Sequence, residues 1–370
     1  MSPTETKSAV QPRYDFLDGI RALLALYVVL HHIWRTMMLS HPGQTSPFFR
    51  FLSYGHYSVC FFILLSGFCL TLPLLKSDLR FKNGIGHFLK RRAWRILPPY
   101  YFALAGSLLL IAAFISAKTN GAWDVCVPVT VSSVVTHLFL VHNFFVHDMV
   151  KINHVFWSIA IEWQIYFVFP LLLLIWRRLG GAITTVAAMV VSLGVERLIN
   201  HSVGAYPYVH FIGLFAIGVF AAHVSFSKDQ AGSFYRTLPW GWLVLVTGAV
   251  SGGLIYLNWE KVADEVFGAF GMSLLIFLSL YPEGRLRRFL DLGPLVFVGT
   301  FAYSLYLIHA PLVQILQVYV FEPLRLSPNV TCVVFLLVGT PLIVLAAYAF
   351  FLCCERPFLQ KGQHVFVHRK

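Results

Sequence analysis

The chain has 370 residues, of which 58% are hydrophobic and 12% charged, with a formal net charge of +12 at pH 7. Soluble domains carry about 25% charged residues, so this composition excludes an ordinary soluble fold and points to a polytopic membrane protein. The surplus of Lys and Arg is what positive loops on the inner side of a bilayer require, and no nucleic-acid partner is expected.

Residues 1–16 are polar and read as a cytoplasmic tail. Apolar stretches then follow at 17–40, 55–75, 96–117, 155–176, 181–200, 207–226, 240–258, 265–282, 294–320 and 330–354. Each is near the roughly 20 residues that a bilayer crossing needs. No small-residue cleavage site follows the first, so it reads as a retained helix. One further apolar segment, 132–147, is short and holds His137 and His142. If it does not cross, 20 of the 28 Lys and Arg fall on the inner side and five outside, with Arg21, Arg35 and Arg197 near span ends. If it crosses, the pairs and triplets at 177–178 and 285–288 move outside. The positive-inside rule selects the first arrangement. The expected fold is therefore an all-α integral membrane protein of about ten transmembrane helices. A short re-entrant or interfacial segment follows the third, and both termini are cytoplasmic. A single transmembrane domain occupies 17–354, and 355–370 form a second cytoplasmic tail.

The first span, from Tyr14 to Met38, holds Arg21 near its start and the pair His31–His32. Eleven residues are close to three helical turns, so Arg21 and His32 share a face about 16 Å apart. Ionisable groups inside a span are costly and point to function; a His bonded within the bundle and a snorkelling Arg are the structural reading. The second span carries Ser66-Gly67 in an aromatic run, a place for close approach of another helix or of a ligand. Before the third span lies LKRRAWRILPPYY, where Arg92 and Arg95 share a helix face beside Arg91. Guanidinium groups match phosphate oxygens, and they equally suit anchoring at anionic headgroups. Pro98-Pro99 is expected to stop the helix there and to set the start of the third span.

Glu162 is the only one of sixteen acidic residues placed well inside an expected span, close to Trp157 and Ser158. Counted from the helix ends, Glu162 and His32 both lie about 11–12 Å below the outer surface, which makes them expected partners. His309, preceded by Tyr303 and Tyr306, is a third group of the outer half. His210 and His223 read as structural. The six cysteines show no disulfide framework and no metal-ligand spacing, and no metal is expected. Nucleotide-binding and hydrolase motifs are absent.

Arginines toward the inner side and a His/Glu set in the outer half suit a phosphorylated cytoplasmic donor that reaches an acceptor from outside. A transporter or flippase of a glycan or lipid, with the His/Glu set as a proton relay, is the alternative.

Six blocks carry a resemblance. They are DGIRALLALYVVLHH (18–32), FFILLSGF (61–68), RRAWRILPPYY (91–101), FWSIAIEWQIYFVFP (156–170), YSLYLIHAPL (303–312) and ERPF (355–358). In this order, over nearly the whole chain, they resemble the acyltransferase-3 family of membrane O-acyltransferases. The resemblance implies transfer of an acyl group, acetyl in the first instance, from acetyl-CoA or another acyl-CoA to a hydroxyl of a glycan, glycolipid or small metabolite. It implies a plasma (inner) membrane location. The family's arginine–histidine pair falls on Arg21 and His32, its Arg-x-x-Arg on Arg92 and Arg95, and its intramembrane carboxylate on Glu162. His31 is an extra histidine beside the motif position, and Trp163 stands where many members carry a second polar residue. Some relatives carry an additional extracytoplasmic esterase-like domain, and none is expected within these residues. On this reading His32 and Glu162 are catalytic. Arg21, Arg91, Arg92, Arg95, Ser66, Trp157, Ser158, Tyr303 and His309 bind donor or substrate.

Overall fold

A computed structural model describes residues 14–115, 121–203, 207–257 and 259–359. The two expected tails, as far as residue 13 and from residue 360, lie outside the described residues, as does Lys118. Every regular element among the described residues is helical. The long helices are α1 (Asp15–Ser40), α2 (Gly55–Thr71) and α3 (Gly84–Ala113). After the short α4 (Val131–Leu138) come α5 (Trp157–Leu179), α6 (Gly181–Val203) and α7 (Phe211–Phe226). Then follow α8 (Gln230–Arg236), α9 (Trp240–Tyr256), α10 (Glu260–Leu280), α11 (Arg285–Leu290) and α12 (Gly293–Gly299). The bundle closes with α13 (Ala302–Leu316), α14 (Pro328–Val334) and α15 (Thr340–Phe350), the last two joined by a π-helical turn.

Eight of these runs are long and apolar enough to cross a membrane, or nine if α7 and α8, bent by 91°, count as one. Ten were expected. Each expected stretch is mostly helical where described, but α7 has 16 residues and α9 has 17. At 1.5 Å per residue these reach only about 24–26 Å, short of a roughly 30 Å hydrocarbon core. The segment after the third span contains an eight-residue helix, α4, and then turns through Leu140 at φ 53°. A helix of eight residues spans about 12 Å and does not cross. Thr130 and Ser133 cap it reciprocally. The rings of His137 and His142 stack at 3.7 Å, and Tyr100 of α3 donates to the His137 carbonyl.

The third span differs from expectation at its start. α3 begins at Gly84, and Pro98 and Pro99 lie inside it. Proline removes a ladder N–H, yet helices packed in a bundle tolerate it when neighbours satisfy the backbone. The carbonyls left without a ladder donor here are those of Trp94 and Arg95; close by, the Tyr303 hydroxyl of α13 donates to the Ile96 carbonyl at 3.1 Å. The consequence is that Arg91, Arg92 and Arg95 sit on one continuous helix with the span. The last helix likewise runs on through a π-helical turn to Glu355 and is helical to residue 359, the last described, so Glu355 belongs to the bundle.

Helices α2 and α7 cross at close range. A Cβ added at Gly67 would meet the Phe215 carbonyl, and one at Gly218 would meet that of Leu64. In a lipid environment close packing at small residues replaces hydrophobic burial as the force between helices. Gly67 therefore serves the helix crossing, and the adjacent Ser66 is left facing the other way. Gly299 of α12 lies in the same manner against the Asp18 carbonyl of α1. These two contacts hold α1, α2, α7 and α12 around the interior in which the polar groups meet.

Candidate active site

The interior holds a cavity of about 180 Å³. Its polar lining comes from α1 (Asp18, Arg21), α2 (Ser66, Cys69), α3 (Arg92, Arg95), α5 (Ser158, Glu162, Tyr166) and α13 (Tyr303, Tyr306), with Glu355 from the last helix. Seven of the expected site residues thus share one space: Arg21, Ser66, Arg92, Arg95, Ser158, Glu162 and Tyr303. Helix geometry explains this. Arg92 and Arg95 are three apart, and Ser158 and Glu162 four apart, so each pair presents one face inward.

Its charges are not all paired. Arg21 Nη1 bonds Asp18 Oδ1 at 2.6 Å, and Arg21 Nη2 reaches Cys69 Sγ at 3.1 Å. Glu162 Oε1 accepts from the Tyr166 hydroxyl at 2.6 Å, and Tyr166 in turn lies 3.3 Å from Ser66 Oγ. Glu355 is 2% exposed and accepts from Ser304 Oγ. Arg92 Nε is buried and has no hydrogen-bond partner. A buried donor left unpaired costs roughly 1–3 kcal/mol, and Arg92 is one of three arginines in the cavity wall, beside the carboxylates of Asp18, Glu162 and Glu355.

His32 does not line this cavity. It forms a separate cluster with His154 and His309, with ring centroids 4.8 and 5.1 Å away. His32 Nδ1 lies 3.3 Å from His154 Nε2, and His154 Nδ1 lies 3.3 Å from Cys126 Sγ. The His309 ring is fully buried, with Nδ1 2.7 Å from the Tyr306 carbonyl and Nε2 unpartnered. Tyr306 touches both the cavity and the cluster. It lines the cavity, its ring lies 5.7 Å from that of His309, and its hydroxyl is 2.6 Å from Ser158 Oγ. Phe62, also in the cavity wall, meets the Tyr306 ring edge-on.

The expected pairing of Glu162 with His32 is therefore not what the structure has. Glu162 bonds Tyr166 among the arginines, and His32 bonds His154. Equal depth does not give equal azimuth: each group turns to whichever helix its own face meets. Arg91 is exposed and does not line the cavity. Trp157 lies outside it as well, stacked on Tyr208 at 4.4 Å. His31 turns away from His32's partners to the Leu52 carbonyl, 2.7 Å from Nδ1. His154, Cys126, Tyr166 and Glu355 were not singled out as site residues. Glu355 had a signal, as the first residue of the ERPF block. His154 and Cys126 are in connecting segments, where no periodicity points to a partner.

The acyltransferase-domain profile of the acyltransferase-3 family matches residues 14–352. The chain belongs to the acyltransferase-3 family. Among curated proteins it is similar to O-acetyltransferase OatA of Staphylococcus aureus, 23% identical over 337 residues that cover 83% of this chain and 52% of OatA. A putative O-acetyltransferase of the same species is 24% identical over 333 residues, 82% of this chain and 51% of that protein. Acyltransferase MdmB of Streptomyces mycarofaciens is 28% identical over 171 residues, 45% of this chain and 40% of MdmB. The chain spans about half the length of the curated relatives it matches. No solved structure matches it.

Proposed function

We propose that this acyltransferase-3 protein transfers an acyl group, acetyl in the first instance, from a cytoplasmic acyl-CoA to a hydroxyl of a glycan, glycolipid or small metabolite. The observation that carries the reading is a juxtaposition: an arginine-lined cavity, with Arg92 Nε unpaired, and a histidine cluster on the other side of Tyr306. The names of two relatives, both O-acetyltransferases, favour oxygen as the acceptor atom. The excess of Lys and Arg in the segments on the N-terminal side of α1 favours that end as cytoplasmic.

In this reading Arg92, Arg95 and Arg21 hold the donor's phosphates, since guanidinium groups match phosphate oxygens in a bidentate fashion. The thioester end then points to the Tyr306–Ser158 boundary, and the acceptor reaches His32 from the opposite side. A single tautomer set makes His32 a base. Its Nδ1–H donates to His154 Nε2, and His154 Nδ1–H donates to Cys126 Sγ, which leaves His32 Nε2 free to take the acceptor's proton. The alkoxide oxygen bonds to the thioester carbonyl carbon, the C–S bond breaks, and the proton on His32 goes to the departing thiolate. General-base catalysis by a positioned histidine contributes roughly 10²–10⁴-fold. Tyr166 and Glu162 set the electrostatics of the passage, with Glu162 as counter-charge to the arginines.

The test uses the full chain in detergent with acetyl-CoA and a panel of oligosaccharides, and follows free coenzyme A. Acceptor-dependent release, with a matching mass gain on the sugar, is the expected result. Movement of a glycan or lipid across vesicles without any consumption of acyl-CoA would overturn the proposal.

A further inference from the structure

A second group of ligating side chains lies outside the cavity and the histidine cluster, where α2, α7 and α10 begin. His56 and Cys60 are one turn apart on α2, and Asp264 is in the second turn of α10. His56 Nε2 lies 2.8 and 3.0 Å from the two Asp264 carboxylate oxygens and 3.5 Å from Cys60 Sγ. One donor atom from each of the three residues falls within 4.8 Å of the others. From this juxtaposition we infer that His56, Cys60 and Asp264 form a binding site for a divalent transition-metal ion of the zinc class.

Three features favour an ion over a plain hydrogen-bonded pair. First, the spacing fits. Zinc bonds of about 2.0–2.3 Å in a tetrahedron put neighbouring donors about 3.3–3.7 Å apart. The separations from His56, 2.8 Å to Asp264 and 3.5 Å to Cys60, need to open by up to about half an ångström, and Cys60 and Asp264 already lie within 4.8 Å of each other. Second, the donor set is selective: imidazole and thiolate favour zinc-class ions over magnesium or calcium, which take oxygen ligands alone. Cys60 is the cysteine that belongs to such a cluster among the described residues. Third, the carboxylate is already oriented from behind. His210 Nε2 lies 3.1 Å from Asp264 Oδ2, and His210 Nδ1 lies 3.8 Å from Glu196 Oε2. Outer partners of this kind fix metal ligands, and their loss typically costs 10–100-fold in affinity.

Access and placement complete the case. The His56 side chain is 36% exposed and that of Asp264 13%, while Cys60 is buried. An ion therefore enters over His56 and ends against the sulfur. Three protein donors leave a fourth position for water or another small ligand. The His56 ring lies parallel to Trp157, the first residue of α5, at 6.4 Å. Bound metal would thus join α2 to α10 beside the start of the helix that carries Ser158 and Glu162.

The test is metal binding, which does not depend on knowing the acceptor or on transfer activity. The full chain in detergent is stripped with a chelator, freed of it, and titrated with zinc, then with cobalt as a spectroscopic stand-in. The expected result is one saturable zinc per chain, and a sulfur-to-cobalt charge-transfer band. Cys60→Ser should abolish the band, Asp264→Asn should weaken binding at least tenfold, and Cys332→Ser should change neither. Absence of saturable zinc binding by the unmodified chain would overturn the inference. So would binding, or a charge-transfer band, that survives both Cys60→Ser and Asp264→Asn. Because the unmodified chain already decides, the inference stays testable if a variant fails to fold.

Discussion

Arg92→Gln isolates the donor-binding role of the cavity. Arg92 lies on α3 in the cavity wall, three residues before Arg95, and its Nε is buried without a partner. If this guanidinium holds a donor phosphate, its loss removes a charge-assisted hydrogen bond worth about 1.5–3 kcal/mol. At about 1.4 kcal/mol per tenfold change, the KM for acetyl-CoA should rise about 10–150-fold. The turnover number should change little, because the contact is made equally before and during the chemical step. The fold should not suffer, since the donor removed has no partner in the protein. Arg92→Lys should recover only part of the affinity, as it restores the charge without the planar fork. The assay is coenzyme A release by the detergent-purified chain over a range of acetyl-CoA at fixed acceptor. A small acetyl thioester lacking the nucleotide serves as the control, and variant and parent should use it equally. An unchanged KM for acetyl-CoA, or an equal loss with the small thioester, would refute the reasoning.

His32→Ala should keep its melting temperature and lose roughly 10²–10⁴-fold in kcat; near-normal acyl transfer would remove His32 from the mechanism. His154→Ala should lower kcat by about 10–100-fold with KM unchanged, and the double variant should be no worse than His32→Ala alone, since groups that act as a unit are not additive. Full additivity in that cycle would show that His154 acts elsewhere. Glu162→Gln should lower kcat without raising the donor KM, because the carboxylate is a counter-charge to the arginines; a tenfold rise in KM would contradict that role. Gly218→Ala should destabilise the bundle by about 1–3 kcal/mol or more, because the added methyl meets the Leu64 carbonyl. An unshifted thermal melt would count against the close α2–α7 crossing.

What could be read in advance follows the helix period. Arg92 with Arg95, and Ser158 with Glu162, converge on one cavity because spacing along a helix sets the face of each side chain. The short segment after the third span could be inferred from charge, and α4 is indeed too short to cross. Three things could not be read. Depth placed Glu162 level with His32, but their directions around their helices depend on packing. The Pro-Pro pair looked like a helix start, yet α3 runs through it from Gly84 to Ala113. His154 reaches His32 from a connecting segment, 122 residues later in the chain. No local pattern announces such a meeting. The same holds for Asp264, 208 residues from His56.

The Tyr306–Ser158 bond also bears on what the membrane keeps apart. A protein with arginines at one end of its interior and histidines at the other is close to being a leak. If the cavity and the histidine cluster were joined through water, protons and small anions would have a polar route through the bundle. Tyr306 would close that route with a hydroxyl bonded to Ser158 and to the Val155 carbonyl, with Phe62 edge-on against its ring. Such a plug would admit a short acyl group while holding back solvent. Electrical tightness and a limit on acyl length would then have one cause, and loosening the tyrosine should relax both together.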